Sequence, residues 1–222
     1  MRHTLSVVAA LILAACATRD RPGTDSLSAQ RDSVRADSVA RAREDSINRA
    51  TPGYVIDSLL PPEEEARRFR AAYPGDSAIA FVGGERSRET LVRRFVRSLA
   101  AADTNDLRQM VVNGREFVDI YYPGSPYAKG PFRQPLSFAW RMIQNPSVAG
   151  FTKLIHRLAG HPLTYVWQRC EPRVVHEGRV DRYSGCLLRI VDERGRSVTK
   201  RLFGSIVSYE GQFKFLSYTN DM

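Results

Sequence analysis

Between Arg88 and Ala102 the apolar side chains recur at helical spacing. Leu91, Val92, Phe95, Val96 and Leu99 make one face, and Arg93, Arg94 and Arg97 make the other. Asp103 to Asn105 supply turn and cap chemistry ahead of a second short helix over 106–112. After Gly114, the residues Phe117, Ile120 and Tyr121 fit a helical turn, with a strand as the alternative, and Pro123-Gly124 closes it. The stretch 135–144 reads as a helix carrying Phe138 and Trp140. Asn145-Pro146 is expected to break it, because proline donates no backbone hydrogen bond and crowds the preceding turn. Val148, Phe151, Leu154, Ile155 and Leu158 mark a further helix, ended by Gly160. Upstream, Pro61-Pro62 and Glu63 to Glu65 open a short helix that Pro74-Gly75 closes, either packed on the later helices and strands or separate from them.

From Leu163 the period changes to alternation. Strands are expected from 163 towards Pro172, over 183–191, over 197–209 and over 213–218, with turns at His176–Arg179, Asp192–Gly195 and Glu210-Gly211. Helices first and an antiparallel meander afterwards define an α+β class, with N-terminal helices packed on a curled antiparallel sheet of about four strands.

The start of the chain has a different pattern. Arg2 precedes an apolar run over Leu5–Leu13, too short for a membrane-spanning helix, and the run ends in Leu13-Ala14-Ala15-Cys16. This segment resembles a bacterial lipoprotein signal with its lipobox. The resemblance implies cleavage of residues 1–15 before Cys16, a diacylglyceryl thioether on Cys16 and acylation of the new amino terminus. The protein is then expected in the bacterial cell envelope, held to a membrane by its lipid. Ala17 and Thr18 place no acidic residue after the cysteine, which in such lipoproteins favours the periplasmic face of the outer membrane where the organism has one.

Residues 16–60 form the tether. Asp-Ser recurs at Asp25, Asp32, Asp37, Asp45 and Asp57, each time followed by Leu, Val or Ile, and no aromatic residue precedes Tyr54. Such a segment buries too little apolar surface to offset the entropy of ordering it, so a mobile linker is the first reading. An exposed charged helix over 25–50 is the alternative, since arginines and acids often fall three or four apart. Of the net charge of +9, Arg2 contributes one and residues 17–60, with seven arginines and seven acids, contribute none; the rest lies on 61–222. A basic domain attracts nucleic acid, anionic lipid headgroups or the acidic glycans of an envelope, and the compartment argues against nucleic acid. An envelope protein or an anionic glycan is the expected partner, with Arg93, Arg94, Arg97, Lys200 and Arg201 as candidate contacts.

The order of elements over 86–220 resembles the nuclear transport factor 2-like family of cone-shaped α+β domains. The matching pieces are Leu91–Leu99 with Asp106–Val112, the helices over 135–159, the hairpins over 163–218 and the closing Phe213-Lys214-Phe215-Leu216. Residues 61–85 then form a helix and connector ahead of a cone domain over 86–222. The resemblance implies a cavity between helices and sheet, in which some members transfer protons with Asp, His or Tyr. Asp119, His156 and Tyr121 are the candidates for that chemistry, and Tyr122, Trp140, Tyr165 and Trp167 for the wall. A carboxylate desolvated beside aromatic rings makes a general base. Two function classes are implied: a non-enzymatic binding domain whose interior is filled by side chains such as Trp140, Phe151 and Trp167, or an isomerase or hydrolase acting on a small apolar or carbonyl substrate.

No phosphate-binding glycine loop, nucleophile elbow or zinc-type His-Glu-x-x-His pattern occurs, and no cofactor is expected. Cys170 and Cys186 are the two cysteines besides Cys16. If a hairpin turns near Glu177-Gly178 they fall opposite each other on adjacent strands, where an exported protein is expected to join them as a disulfide. Zinc is not expected, since it needs two further ligands and only His176 lies between them.

Overall fold

The computed structural model describes residues 24–50, 60–129, 131 and 133–222. The signal segment and Cys16 lie outside them. The chain forms two units, Met1–Ser58 and Leu59–Met222.

In the first unit, Thr24–Ala50 is one helix, α1. This helix matches the charged-helix alternative over 25–50. Every described side chain over 31–44 is exposed, so packing does not hold this helix. Its support is local: alanine and arginine are good helix formers, and opposite charges lie a turn apart.

The second unit begins with α2 (Pro62–Ala72), whose proline sits in the first turn and whose Glu63, Glu64 and Glu65 face the positive end of the helix dipole. Its Phe69 is buried in the core, so this helix belongs to the domain. α3 (Arg88–Ala100) starts where the Ser87 side chain accepts the Thr90 N–H at 3.0 Å, and α4 (Thr104–Gln109) where Asp103 accepts the Asp106 N–H at 2.9 Å. α5 (Gly114–Glu116) opens on a capping box between Asn113 and Glu116 and runs on into a π-helical turn over Phe117–Tyr121. Next come two 3₁₀ turns, Tyr122–Gly124 and Pro126–Ala128.

α6 spans Leu136–Leu158 without interruption, so the expected break at Asn145-Pro146 does not occur. Leu136, Ala139, Trp140, Ile143, Ser147, Gly150 and Leu154 form one buried stripe through the proline, which itself faces solvent. The chain terminus also clamps the turn after Pro146. Ser147 Oγ accepts the Tyr218 N–H at 2.9 Å, and Asn220 donates to the Gly150 carbonyl at 2.8 Å. A Cβ on residue 150 would lie 1.9 Å from the Tyr218 carbonyl oxygen, so only glycine allows this crossing. Continuous burial and these tertiary bonds outweigh the one helical bond that proline forfeits.

The sheet region keeps the expected antiparallel meander, but each of its three longer strands is broken by a crease. The pieces are β1 (Thr164–Arg169), β2 (Val174–Glu177), β3 (Val180–Tyr183), β4 (Leu187–Val191), β5 (Ser197–Lys200), β6 (Ile206–Tyr209) and β7 (Gln212–Phe215). They form two sheets, β1-β4-β5 and β2-β3-β6-β7, where one sheet of about four strands was expected. Gly185, at φ +60, lies at the crease between β3 and β4. The Cys170–Cys186 disulfide is present there, joining the first two long strands where each is creased. The bend lets the two faces of the four-stranded sheet serve two cores. Ile206 and Phe215 pack with Phe95, Leu99, Phe203 and Tyr218, while Val180 and Val207 pack with Phe69, Phe117, Tyr121 and Trp140. All four residues of β6 are accordingly buried. The outer edge of β7 is covered by backbone bonds to Glu85, Met110 and Val112.

Candidate functional site

The residues expected to carry proton chemistry lie apart. Asp119, in the π-helical turn, is 7% exposed along its side chain, and its carboxylate is taken. Arg70 Nε of α2 donates to Oδ1 at 2.8 Å, the Ala78 N–H donates to Oδ2 at 2.9 Å, and Arg115 Nε stands 3.4 Å from Oδ2. This arrangement ties α2, the 78 segment and the turn together. Proton abstraction by Asp119 would first require release from two guanidinium groups. His156 stands on the solvent face of α6, away from the buried stripe.

Tyr121 is buried, with its phenol beside Glu177 and Arg182. Burial first, and the Glu177 charge second, push its pKa far above the ordinary tyrosine value. It stays a neutral hydroxyl and cannot serve as a base near neutral pH. Arg182 donates from Nε to Glu177 Oε1 at 2.7 Å and from Nη1 to Ser184 at 2.6 Å, while Glu177 Oε2 is buried without a hydrogen bond. The 3₁₀ loop closes over this cluster. A Cβ on Gly124 would meet the Glu177 carbonyl oxygen at 2.2 Å, so the loop seats directly on the β2–β3 hairpin.

The expected wall residues are also separated. Tyr122 is buried, and its hydroxyl donates to the Gln134 carbonyl at 2.9 Å. Trp140 donates from its indole N–H to the Tyr73 hydroxyl at 2.5 Å and packs edge-on against Phe69 and Tyr73. These rings line a surface groove of about 540 Å³ between α2 and α6, with Arg68 and Arg141 also lining it. Tyr165 lies on the other sheet, where its hydroxyl donates to Glu89 at 2.5 Å beneath the Arg93 guanidinium, 4.3 Å above the ring. Burial and Glu89 push the Tyr165 pKa up to about 12. Trp167, half-buried, sits on the solvent side of the same strand, and Phe151 packs against Tyr218 at the first core. Neither Asp119 nor His156 lines the α2–α6 groove.

Of the arginines proposed as polymer contacts, Arg94 is structural. It donates from Nε and Nη2 to Asp106, at 3.1 and 2.5 Å, and from Nη1 to the Gly83 carbonyl and Glu85. The Ser98 hydroxyl also meets Asp106. Arg93 pairs with Glu89 and Arg201 with Asp221, while Arg97 and Lys200 are exposed. The Arg94 bonds hold the Asp106 carboxyl below the usual carboxylate range. A depressed folded-state pKa stabilises the fold above the unfolded value, and that contribution is lost as the pH falls through the folded value. Urea midpoints should therefore drop below about pH 4, the unfolded aspartate range, and Asp106→Asn should flatten that limb.

Sequence reasoning missed the most buried ionic group. Lys214 of β7 and Glu116 are 1% and 2% exposed along their side chains. Lys214 Nζ donates to both Glu116 oxygens, at 2.9 and 2.8 Å, and to the Val82 carbonyl at 2.8 Å. Glu116 also accepts the Val82 and Asn113 N–H groups, at 2.8 and 3.0 Å. The signals were a capping pattern, Asn113-x-x-Glu116, and a lysine at an inward position of the alternating Phe213-Lys214-Phe215. Burial lowers the Lys214 pKa against the opposing pull of Glu116.

Among the described residues, no group of three or more His, Cys, Asp or Glu is placed to hold a metal ion, and no helix is long and apolar enough to cross a membrane. The fold and these sites define an α+β domain with two aromatic cores and a structural disulfide. No protein-family model, curated protein or solved structure matches the chain.

Proposed function

We propose that this chain is a lipid-anchored bacterial envelope protein whose second unit is a non-enzymatic binding domain. The observation that carries the binding reading is the state of Asp119: its carboxylate is spent on Arg70, Arg115 and the Ala78 amide. The anchor rests on the lipobox-like Leu13-Ala14-Ala15-Cys16, and the Cys170–Cys186 disulfide supports export, since disulfides persist in oxidising compartments. On this reading α1 is a stiff spacer. Its 27 residues extend about 40 Å, near the thickness of a bilayer, at the usual helical rise. The nuclear transport factor 2-like cone is the proposed fold family, supported by helices that precede a bent antiparallel meander. An isomerase or hydrolase on the same frame would need Asp119 freed from both arginines.

Detergent phase separation in the source bacterium tests the anchor. The native protein should enter the detergent phase and Cys16→Ser should move to the aqueous phase, because several acyl chains hold far more firmly than one. Detergent partitioning that persists in Cys16→Ser refutes the proposal.

A further inference from the structure

The three-stranded sheet buries one face and leaves the other to solvent. In β4 the alternation is clean: Leu188 and Ile190 are buried, Leu187 and Arg189 exposed. The register places Trp167 of β1 opposite Arg189, and Arg189 opposite Thr199 of β5, in one row across the sheet. The next row pairs Arg169 with Leu187. A bulge between Tyr165 and Trp167 shifts the register, leaving Val166 exposed beside the tryptophan. Val166 and Leu187 are 44% and 45% exposed.

Two features set this face apart. Its arginines, Arg169 and Arg189, form no ion pair among the described residues; Arg189 donates only to the Ser197 hydroxyl at 2.6 Å, and Arg169 lies 5.9 Å from the Trp167 ring centre. No acidic side chain occurs among the strand residues of β1, β4 and β5. At the β4–β5 turn, Asp192 is held by Arg196 and Glu193 by His161. Of the nineteen other arginines of this unit, eleven face a carboxylate, Arg70, Arg94, Arg133 and Arg182 among them.

We infer that this outer face, built on Trp167, Arg169 and Arg189 with Val166 and Leu187, docks on an anionic lipid surface. Tryptophan places an apolar ring and a polar N–H at the level of lipid headgroups, and arginine keeps its charge at the phosphates while its stem lies over apolar surface. The exposed aliphatic pair adds apolar area at the acyl boundary. A glycan is the weaker fit, because sugar hydroxyls are gripped by planar carboxylate and carboxamide groups. The face presents none; Gln168 lies in register with buried Leu188, on the opposite side. The inference extends the envelope reading above, since an anchored chain stays within reach of such a surface.

The test uses the mature chain from residue 16 carrying Cys16→Ser, so that neither the apolar signal segment nor an acyl group contributes. It is mixed with vesicles of 30% phosphatidylglycerol in phosphatidylcholine, and with phosphatidylcholine alone. Binding is expected to the anionic vesicles only, with a blue shift of tryptophan emission that Trp167→Phe abolishes. Arg169→Gln and Arg189→Gln should each weaken binding about fivefold, from the ~1 kcal/mol that a basic side chain gains near an anionic surface. Equal binding to neutral vesicles, or an unchanged affinity in the double variant with an intact melting transition, overturns the inference. Retention on an anionic polysaccharide with no vesicle binding overturns it too, in favour of a glycan. Each result is independent of whether Cys16 carries lipid, so the anchor and the face fail separately.

Discussion

Replacing Lys214 by methionine should destabilise the domain by about 3–5 kcal/mol, the usual cost of leaving one partner of a buried ion pair without the other. The stranded group would be Glu116, 2% exposed along its side chain and surrounded by core. Its remaining bonds, from the Val82 and Asn113 amides, are too few to keep a carboxylate ionised there at no cost. Adding Glu116→Gln should recover part of the loss. The amide is neutral and keeps one acceptor oxygen, so only one of the two backbone N–H groups is left unmet. Urea unfolding of the single and double variants reads both effects. A single variant within about 1 kcal/mol of the native chain would contradict the described pairing, because such a value belongs to exposed pairs.

The second large effect is expected at the crease. Cys170 and Cys186 are separated by 16 residues, and closing a loop of that size restricts the unfolded chain by roughly 3 kcal/mol. The double variant Cys170→Ser, Cys186→Ser should therefore melt lower by roughly 6–12 °C for a domain of this length. Both sulfurs are buried, so reductant alone should act slowly on the folded protein and quickly in denaturant. Thiol counting with and without denaturant, beside a melting curve, checks this. A melting point shared by the native chain and the double variant would show that the bond does not constrain the fold.

The cysteine pairing was legible because it needed only a turn near Glu177-Gly178, found at Gly178-Arg179, and the two-residue period of strands. The face of α3 was legible for the same kind of reason: a single amphipathic period fixes which residues go inside. At Pro146 local propensity alone argues for a break, and tertiary contacts decide otherwise. The stripe from Leu136 to Leu154 runs through it, yet the clamp by Tyr218 and Asn220 comes from residues about 70 positions away. The crease was hidden as well. Breaks at Gly185 and Gly204 resemble ordinary bulges until two cores compete for the faces of one sheet.

The site residues were the least legible. An aspartate beside aromatic rings has the same sequence signature whether it awaits a substrate or holds two arginines. Asp119 is set apart by Arg70, 49 residues earlier, and pattern reading does not reach that far. For Lys214 the obstacle was opposite. A charge at an inward strand position is a local anomaly, but its meaning rests on Glu116, 98 residues away.

The lipid at Cys16 is the proposal on which the protein's place in the cell depends, and the intact mass of the mature chain purified from membranes tests it most directly. A polypeptide beginning at Cys16, heavier than its sequence by a diacylglyceryl group and an amide-linked acyl chain, is the predicted result. A mature chain that begins at another residue, or one that begins at Cys16 with no added mass, would contradict it.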